Sequence, residues 1–282
     1  MAELIEFALW GLITVTTCIS WQGFRNGLYF DKYTFDVDKI RIDRQYYRLF
    51  SAGFLHKNWT HLIFNMASLY VFSSGVGYTL GVANFMTIYI SSKLLSSLLA
   101  LYIHRHHGDY TSVGASGAVS GIIFSYIAMF PTSNISFFFI PYEFPAWAFG
   151  VFFMLVSIFG IKRQADNIGH EAHLGGALAG VLLTILLEPM ILKTNYLTIF
   201  AITIPAFIFL LLIIYKPSAL LVESYWGVDE KAKSRLPQKD YDVLDDETAL
   251  NELLEKVSEK GYHNLSKQEK KKLEELSRKI ES

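Results

Sequence analysis

Charge is scarce over most of this sequence. Of its 282 residues only 18% are charged, while 52% are hydrophobic. The scarcity is uneven, because residues 216–282 hold 13 of the 25 Lys and Arg and 15 of the 26 Asp and Glu. The first 215 residues are therefore as poor in charge as a polytopic membrane domain has to be, and the remainder reads as a small soluble tail. A net charge of −1 leaves no basic excess to neutralise phosphates, which argues against a nucleic-acid partner. Cysteine is almost absent: Cys18 stands alone in the first apolar run, so an internal disulfide is excluded. The stretch Met1–Phe7 has no basic cluster and carries Glu3 and Glu6, so a cleavable signal peptide is not expected.

Long apolar runs are what is present. Seven stand out, at about 4–21, 58–74, 82–103, 115–130, 145–161, 170–187 and 196–215. The second and fourth are short, which suits helices that begin inside a protein-lined cavity. Between the first two lies a long polar loop, Gln22 to Lys57, expected to be structured in its own right. Pro131, Pro141 and Pro145 bracket the fourth loop, and Pro205 falls within the seventh run. Lys93 sits in the middle of the third run among Ser91, Ser92, Ser96 and Ser97. An ionisable residue at that depth is a functional candidate by default. No acid in the apolar runs is an obvious partner for it, so pairing with hydroxyls or backbone carbonyls is the competing expectation.

The chain is organised around Gly114-Ala115-Ser116-Gly117, which opens a run of small residues ending at Gly121. A helix from about Ala115 to Phe130 has about 16 residues and spans roughly 24 Å. A hydrocarbon core of about 30 Å needs about 20 residues, so such a helix starts below the bilayer surface with Ser116 in its first turn. A hydroxyl there lies beside unpaired backbone N–H groups and the positive end of the helix dipole, features that stabilise an oxyanion. The alternative is a plain packing seam, since Gly117 and Gly121 are spaced i, i+4.

Counting helices brings further polar groups to the same place. Loops alternate faces, so the second, fourth and sixth runs all start from one face. Their first turns hold His61 with Asn65, then Ser116, then His173. His61 and Asn65 are i, i+4 and share a helix face. Gly176 and Gly180 follow His173 on one face and would let that helix approach Gly117 and Gly121. His170-Glu-Ala-His173 falls one residue short of the His-Glu-x-x-His zinc motif, so no metal is expected there. His104, His106 and His107 are expected to form a solvated loop cluster with Asp109 as the only nearby acid.

Taken together these residues resemble the rhomboid family of intramembrane serine proteases. The resemblance is carried by Gly114-Ala115-Ser116-Gly117, by His61-Leu-Ile-Phe-Asn65 and by Ala172-His173-Leu-Gly-Gly176, with His56 and His61 similar to the family's histidine doublet. It covers residues 1–195. It implies an all-α polytopic membrane protein: a rhomboid-like six-helix bundle over 1–195 with a seventh transmembrane helix over 196–215. Outside the resemblance, the residues themselves read as a linker over 216–244 and a short helical hairpin tail over 245–282. The resemblance implies Ser116 as nucleophile and His173 as general base, without a carboxylate third member and without a cofactor. The family's oxyanion donors map onto the Asn65 and His61 side chains and the Ser116 N–H. Gly114, Gly117, Gly121, Gly176 and Gly180 become helix-packing positions. The implied partners are the lipid bilayer and membrane-protein substrates, cut by an endopeptidase within or beside their transmembrane segments. Two positions depart from the family pattern. Tyr47-Arg48 stands where Trp-Arg is usual, and Ser120 stands where an aromatic usually lies under the catalytic histidine.

The face of loops one, three and five carries Arg25, Lys32, Lys39, Arg41, Arg44, Arg48, Lys57, Arg105, Lys162 and Arg163, against Lys193 opposite. The positive-inside rule makes that face cytoplasmic, whereas the resemblance, for a bacterial inner (plasma) membrane, implies the reverse. Two other classes stay in view: a non-catalytic rhomboid-like protein that binds membrane clients, and a transporter using Lys93, for which internal repeat symmetry is missing. In the tail, Leu250, Leu253, Leu254 and Val257 form an amphipathic face. Ser266 and Glu269 then form a capping box ahead of Leu273, Leu276 and Ile280. A helical hairpin of that size has little core, which makes the tail a candidate surface for a protein partner.

Overall fold

A computed structural model describes residues 2–105, 107–137, 140–163, 169–215, 253, 256–257, 262 and 265–281. The chain divides into two compact units, Met1–Val222 and Glu223–Ser282. In the first unit every one of the seven apolar runs is helical. Helix α1 (Ala2–Arg25) leads into the long loop, which folds as α2 (Gly27–Tyr33), β1 (Phe35–Asp36), α3 (Val37–Arg41), α4 (Arg48–Ser51) and one 3-10 turn, Ala52–Phe54. Then come α5 (Trp59–Leu80), α6 (Val82–Ile103), β2 (Thr111–Ser112), α7 (Ser116–Met129), the hairpin β3 (Asn134–Phe137) and β4 (Ile140–Pro145), α8 (Ala146–Arg163), α9 (His170–Leu187), α10 (Ile191–Thr194) and α11 (Tyr196–Tyr215). Among the described residues four helices are long and apolar enough to cross a membrane: Glu3–Arg25, Val82–Ile103, His170–Leu187 and Tyr196–Tyr215.

The loop between α1 and α5 is held by its own polar groups. Asn26 caps α2 by accepting from the Tyr29 N–H, and Asp36 caps α3 by accepting from the Lys39 N–H. Arg48 is buried and donates to three oxygens at 2.7 Å: the carbonyls of Asp31 and Thr34 and the amide oxygen of Gln45. A guanidinium can serve three oxygens at once because its five N–H groups form a rigid fork. Antiparallel pairing of Phe35 with Ser112 and of Asp36 with Thr111 fastens this loop to the segment entering α7.

The expected short second helix is longer than its apolar run. Helix α5 continues to Leu80, because Gly75 and Gly77 stay helical and close packing requires them there. A Cβ at Gly77 would lie 2.6 Å from Ile5 of α1, and one at Gly75 would lie 2.5 Å from the Tyr126 ring of α7. Gly81, with φ +82°, then ends the helix in a conformation that side-chain-bearing residues avoid.

Helix α7 is the centre of the bundle. With 14 residues it is about 21 Å long, short for a bilayer. Its first glycine faces α6 and α9 together: a Cβ on Gly117 would strike Ser96 and come within 3.7 Å of the Ala172 carbonyl oxygen. Gly121 repeats this one turn on, against Ser92 and the Gly176 carbonyl. From the other side, a Cβ on Gly176 would collide with the backbone of Gly117, and one on Gly180 with the backbone of Gly121. The two helices thus touch backbone to backbone over a full turn. Polar bonds continue the seam, since the Thr184 hydroxyl donates to Ser125 at 2.7 Å and Ser125 donates to the Gly180 carbonyl at 3.2 Å. At the far end of α7 the Asn195 amide donates to the Ala128 and Met129 carbonyls, at 2.9 and 3.0 Å.

In the second unit, α12 (Lys267–Glu281) begins with both bonds of the expected capping box. The Glu269 N–H donates to the Ser266 hydroxyl at 3.2 Å, and the Ser266 N–H donates to the Glu269 carboxylate at 2.9 Å. Leu253, Leu265, Leu273 and Leu276 form its small core, with Val257 against it. The expected linker, 216–244, lies outside the described residues.

Two measurements test these accounts. Gly176→Ala must push α9 off α7 and should lower stability by about 1–3 kcal/mol, read as thermal unfolding in detergent. Gly11→Ala, whose Cβ meets nothing within 4 Å, should leave the midpoint unchanged or raise it. In the tail, the Ser266 N–H and then the Lys256 ammonium hold the Glu269 carboxyl down at about 2. A depressed carboxyl stabilises the folded state fully above its ordinary value of about 4.3 and loses that contribution as pH falls through the folded value. An NMR titration of the Glu269 side chain should therefore give a midpoint near 2, and one near 4.3 would show that the box does not form in solution.

Candidate active site

Gly114 is the point across which the polar groups meet. Its φ is +134°, and its N–H donates to the Ala52 carbonyl at 2.9 Å. A Cβ added there would lie 2.9 Å from His61 Cε1, 3.0 Å from His61 Nε2 and 3.6 Å from Ser116 Oγ. Glycine is needed twice over, for its backbone angle and for the space that the imidazole occupies. The His61 ring and the Ser116 hydroxyl therefore converge on one spot, although 55 positions separate them in the sequence.

Ser116 is the first residue of α7, behind Ala115, which offers no side-chain cap. The hydroxyl thus belongs to the first turn, whose N–H groups have no i−4 carbonyl within the helix, at the positive end of the helix dipole. Asn65 lies one turn beyond His61 on α5, is buried, and donates one amide hydrogen to the His61 carbonyl at 2.9 Å. Its amide carries a second hydrogen. The α5 N-terminus is itself fixed by Asn58, whose side chain accepts from the His61 N–H at 2.8 Å.

His173 lies in the first turn of α9, with its N–H bonded to the Gly169 carbonyl at 3.1 Å. The approach of Gly117 to the Ala172 carbonyl puts the residue after Ser116 beside the residue before His173. The first turns of α7 and α9 are accordingly level. An aromatic ring does flank His173, and it comes from α8: the Phe153 centroid is 5.8 Å from the imidazole, and the His170 ring lies at 5.5 Å. On α7 the position where the family pattern has an aromatic is Ser120, so the sequence left open what flanks His173. Nothing distinguishes Phe153 in a run that also holds Phe149, Phe152 and Phe159.

His56 is buried and orders the entry to α7. The Ser20 hydroxyl donates to the Phe54 carbonyl at 2.8 Å, so its oxygen accepts from His56 Nδ1 at 2.9 Å. That leaves Nε2 to accept from the Ala115 N–H at 3.4 Å. The His56 and His61 rings meet edge to face at 4.9 Å.

The expected solvated histidine cluster is a correction. His104 is 3% exposed, stacked on Tyr110 at 3.6 Å, and its Nε2 lies 3.2 Å from the Glu171 carboxylate. The Tyr110 hydroxyl donates to the same oxygen at 2.5 Å. The acid that pairs with His104 comes from α9, 67 positions away, where no local reading would look for it. His106 lies outside the described residues. Among the described residues no group of three or more His, Cys, Asp or Glu side chains is placed to hold a metal ion. The His104–Glu171–Tyr110 knot ties the end of α6 to the turn that carries His173. Removing a buried acceptor costs about 1–3 kcal/mol for each donor it leaves unsatisfied, so Glu171→Ala, which strips His104 and Tyr110 of theirs, should lower stability by at least that order in a detergent unfolding titration. Glu171→Gln, which keeps an oxygen for Tyr110, should cost less.

Comparison with known proteins agrees with this architecture. The Rhomboid domain family matches residues 43–189, and a family of unknown function, DUF6576, matches residues 244–279 of the tail. Rhomboid protein 1, mitochondrial, of Saccharomyces cerevisiae is 28% identical over 181 residues, 63% of this chain and 49% of that protein. YdcA of Bacillus subtilis is 29% identical over 144 residues, 50% of this chain and 67% of that protein. The presenilin-associated rhomboid-like protein, mitochondrial, of Homo sapiens is 30% identical over 136 residues, 46% of this chain and 35% of that protein. The chain spans about half the length of the first of these relatives. With the family matched over more than half of its length, and with that match carried on a bundle of apolar helices, the chain is a polytopic integral membrane protein of the rhomboid family.

Proposed function

We propose that this protein is an intramembrane serine endopeptidase acting through a Ser116–His173 dyad. The observation that carries the reading is the seat at Gly114, where the Ser116 hydroxyl and the His61 imidazole share one small space at the head of α7. The contact between Gly117 and Ala172 supports it by bringing the His173 turn to the same level.

On this reading Ser116 Oγ attacks the scissile carbonyl carbon while His173 takes the hydroxyl proton. His173 then returns that proton to the departing amine, and water releases the acyl group by the reverse sequence. The Ser116 N–H, the His61 imidazole and the second amide hydrogen of Asn65 stabilise the tetrahedral oxyanion. Donors of this kind are strongest in a site shielded from bulk water. The partners are the bilayer and membrane-protein substrates. A peptide bond inside a helix has its carbonyl bonded four residues on, so the substrate segment must unwind first. Glycine and proline near the cut make that easier, and small side chains fit beside the glycine-lined α7 and α9. The alternative, a client-binding protein without catalysis, leaves the pairing of a serine and a histidine at one depth without a purpose. The tail adds no group to the dyad, and its role in this reading is recruitment of a protein partner.

Purified protein should cleave a single-span reporter, and Ser116→Ala should abolish cleavage with folding and expression intact. Removing one oxyanion donor typically costs about 10²–10³ in turnover, so Asn65→Ala should slow cleavage by that order. Full cleavage by Ser116→Ala would overturn the assignment, and unchanged turnover in Asn65→Ala would reduce Asn65 to packing.

A further inference from the structure

We propose that Lys93 is a positioning residue for the nucleophile, holding the backbone segment that delivers Ser116. This rests on Ser116 being the nucleophile. Lys93 lies near the middle of α6, at a depth where a cation is costly unless bonded. Its ammonium donates to the Gly114 carbonyl at 3.4 Å, two residues before Ser116. The side chain has been given room for this reach. A Cβ at Gly53 would lie 2.8 Å from Lys93 Cε, 3.1 Å from Cδ and 3.3 Å from Cγ, so the 3-10 turn passes close over the lysine stem only because residue 53 is glycine. Phe50, Phe54 and Tyr89 line a small pocket together with the lysine itself.

The bond matters because of what holds the other end of the same peptide. The carbonyl of Gly114 and the N–H of Ala115 belong to one planar unit. Lys93 takes the carbonyl at 3.4 Å, and His56 Nε2 takes the N–H at 3.4 Å. The preceding N–H, that of Gly114, is bonded to the Ala52 carbonyl at 2.9 Å. A glycine at φ +134° has few intrinsic barriers to rotation, so the peptide that follows it is free to turn unless both of its ends are tied. Turning it would move Ser116 relative to His61 and α9. Lys93 thus acts through the backbone and not on substrate.

The test uses the full-length protein in detergent, with kcat and KM on a single-span reporter, the rate of Ser116 labelling by a fluorophosphonate, and the thermal midpoint. A misplacement of about 1 Å can cost about 10²-fold in rate. Lys93→Met, which keeps the stem and removes the donor, should lower kcat and the labelling rate together by about that factor, with KM and the midpoint unchanged. Lys93→Arg, which restores a donor, should recover much of the loss. Gly53→Ala, which displaces the stem while keeping the lysine, should show the same signature in weaker form. Wild-type kcat and labelling in Lys93→Met overturn the proposal, as does a loss that falls equally on KM and thermal midpoint. Should Lys93→Met fail to fold, Gly53→Ala decides, and wild-type rates in it overturn the proposal. A wild-type chain that neither cleaves nor labels overturns the nucleophile assignment and this proposal with it, whereas labelling that is equal in wild type and Lys93→Met overturns the positioning role alone.

Discussion

The fold depends on the backbone-to-backbone contact of α7 with α9 at Gly117 against Gly176 and Gly121 against Gly180. In hydrocarbon, burying apolar side chains between helices gains little over leaving them in lipid. Association then rests on close van der Waals approach and on polar bonds across the seam. Glycine supplies the first, and the Thr184–Ser125–Gly180 chain supplies the second. The same two glycines of α7 admit Ser96 and Ser92 of α6, so three helices are registered by one stripe of missing side chains. That registration fixes the depth of Ser116 and His173 relative to each other, because each stands within a turn of a contact.

A second framework operates at the rim. Arg48 is buried against the carbonyls of Asp31 and Thr34, which keeps the long first loop folded on itself. Its last turn brings Ala52 and His56 to the backbone of Gly114 and Ala115. The short β1–β2 pairing fastens the same loop to the residues entering α7. The segment before Ser116 is therefore held by partners from α6 and from the first loop, while the glycine seam holds the helix that follows it. Disturbing the loop, even far from the serine, should be felt in the position of the hydroxyl.

Much of this was legible in the sequence, for identifiable reasons. The seven apolar runs are helices because their low charge and length leave little else in a bilayer. Parity of loops led to the expectation of His61, Ser116 and His173 at one level; the structure brings the first two together at Gly114 and sets Ala172, next to the third, beside Gly117. The capping box at Ser266 and Glu269 was readable because its signal is local. What was misread depended on distant partners. His104 looked solvated because its acid, Glu171, is supplied by another helix. With Ser120 at the usual aromatic position, the sequence named no ring beside His173; it comes from α8, where several phenylalanines look alike. Lys93 could be placed at depth and expected to bond a hydroxyl or a carbonyl, but only the fold says whose carbonyl it is. The apolar count also ended α5 too early, because glycines that look like breakers in sequence are there for close packing against Ile5 and Tyr126.

The two ends of α7 are treated differently, and the difference bears on function. A short helix in a bilayer must satisfy the last carbonyls at its C-terminus and the first N–H groups at its N-terminus. At the C-terminus Asn195 does so directly, donating to the Ala128 and Met129 carbonyls. At the N-terminus the capping position is Ala115, and a Ser, Thr, Asp or Asn there would stabilise the helix by about 1 kcal/mol. Such a cap would also occupy the donors around the Ser116 hydroxyl. A helix whose last carbonyls accept from Asn195, and whose capping position beside the serine is an alanine without a side-chain acceptor, has no cap of its own competing for the donors at the serine end. On the protease reading those groups face a negative charge that exists only while the peptide bond is being broken, and a permanent cap would compete with it.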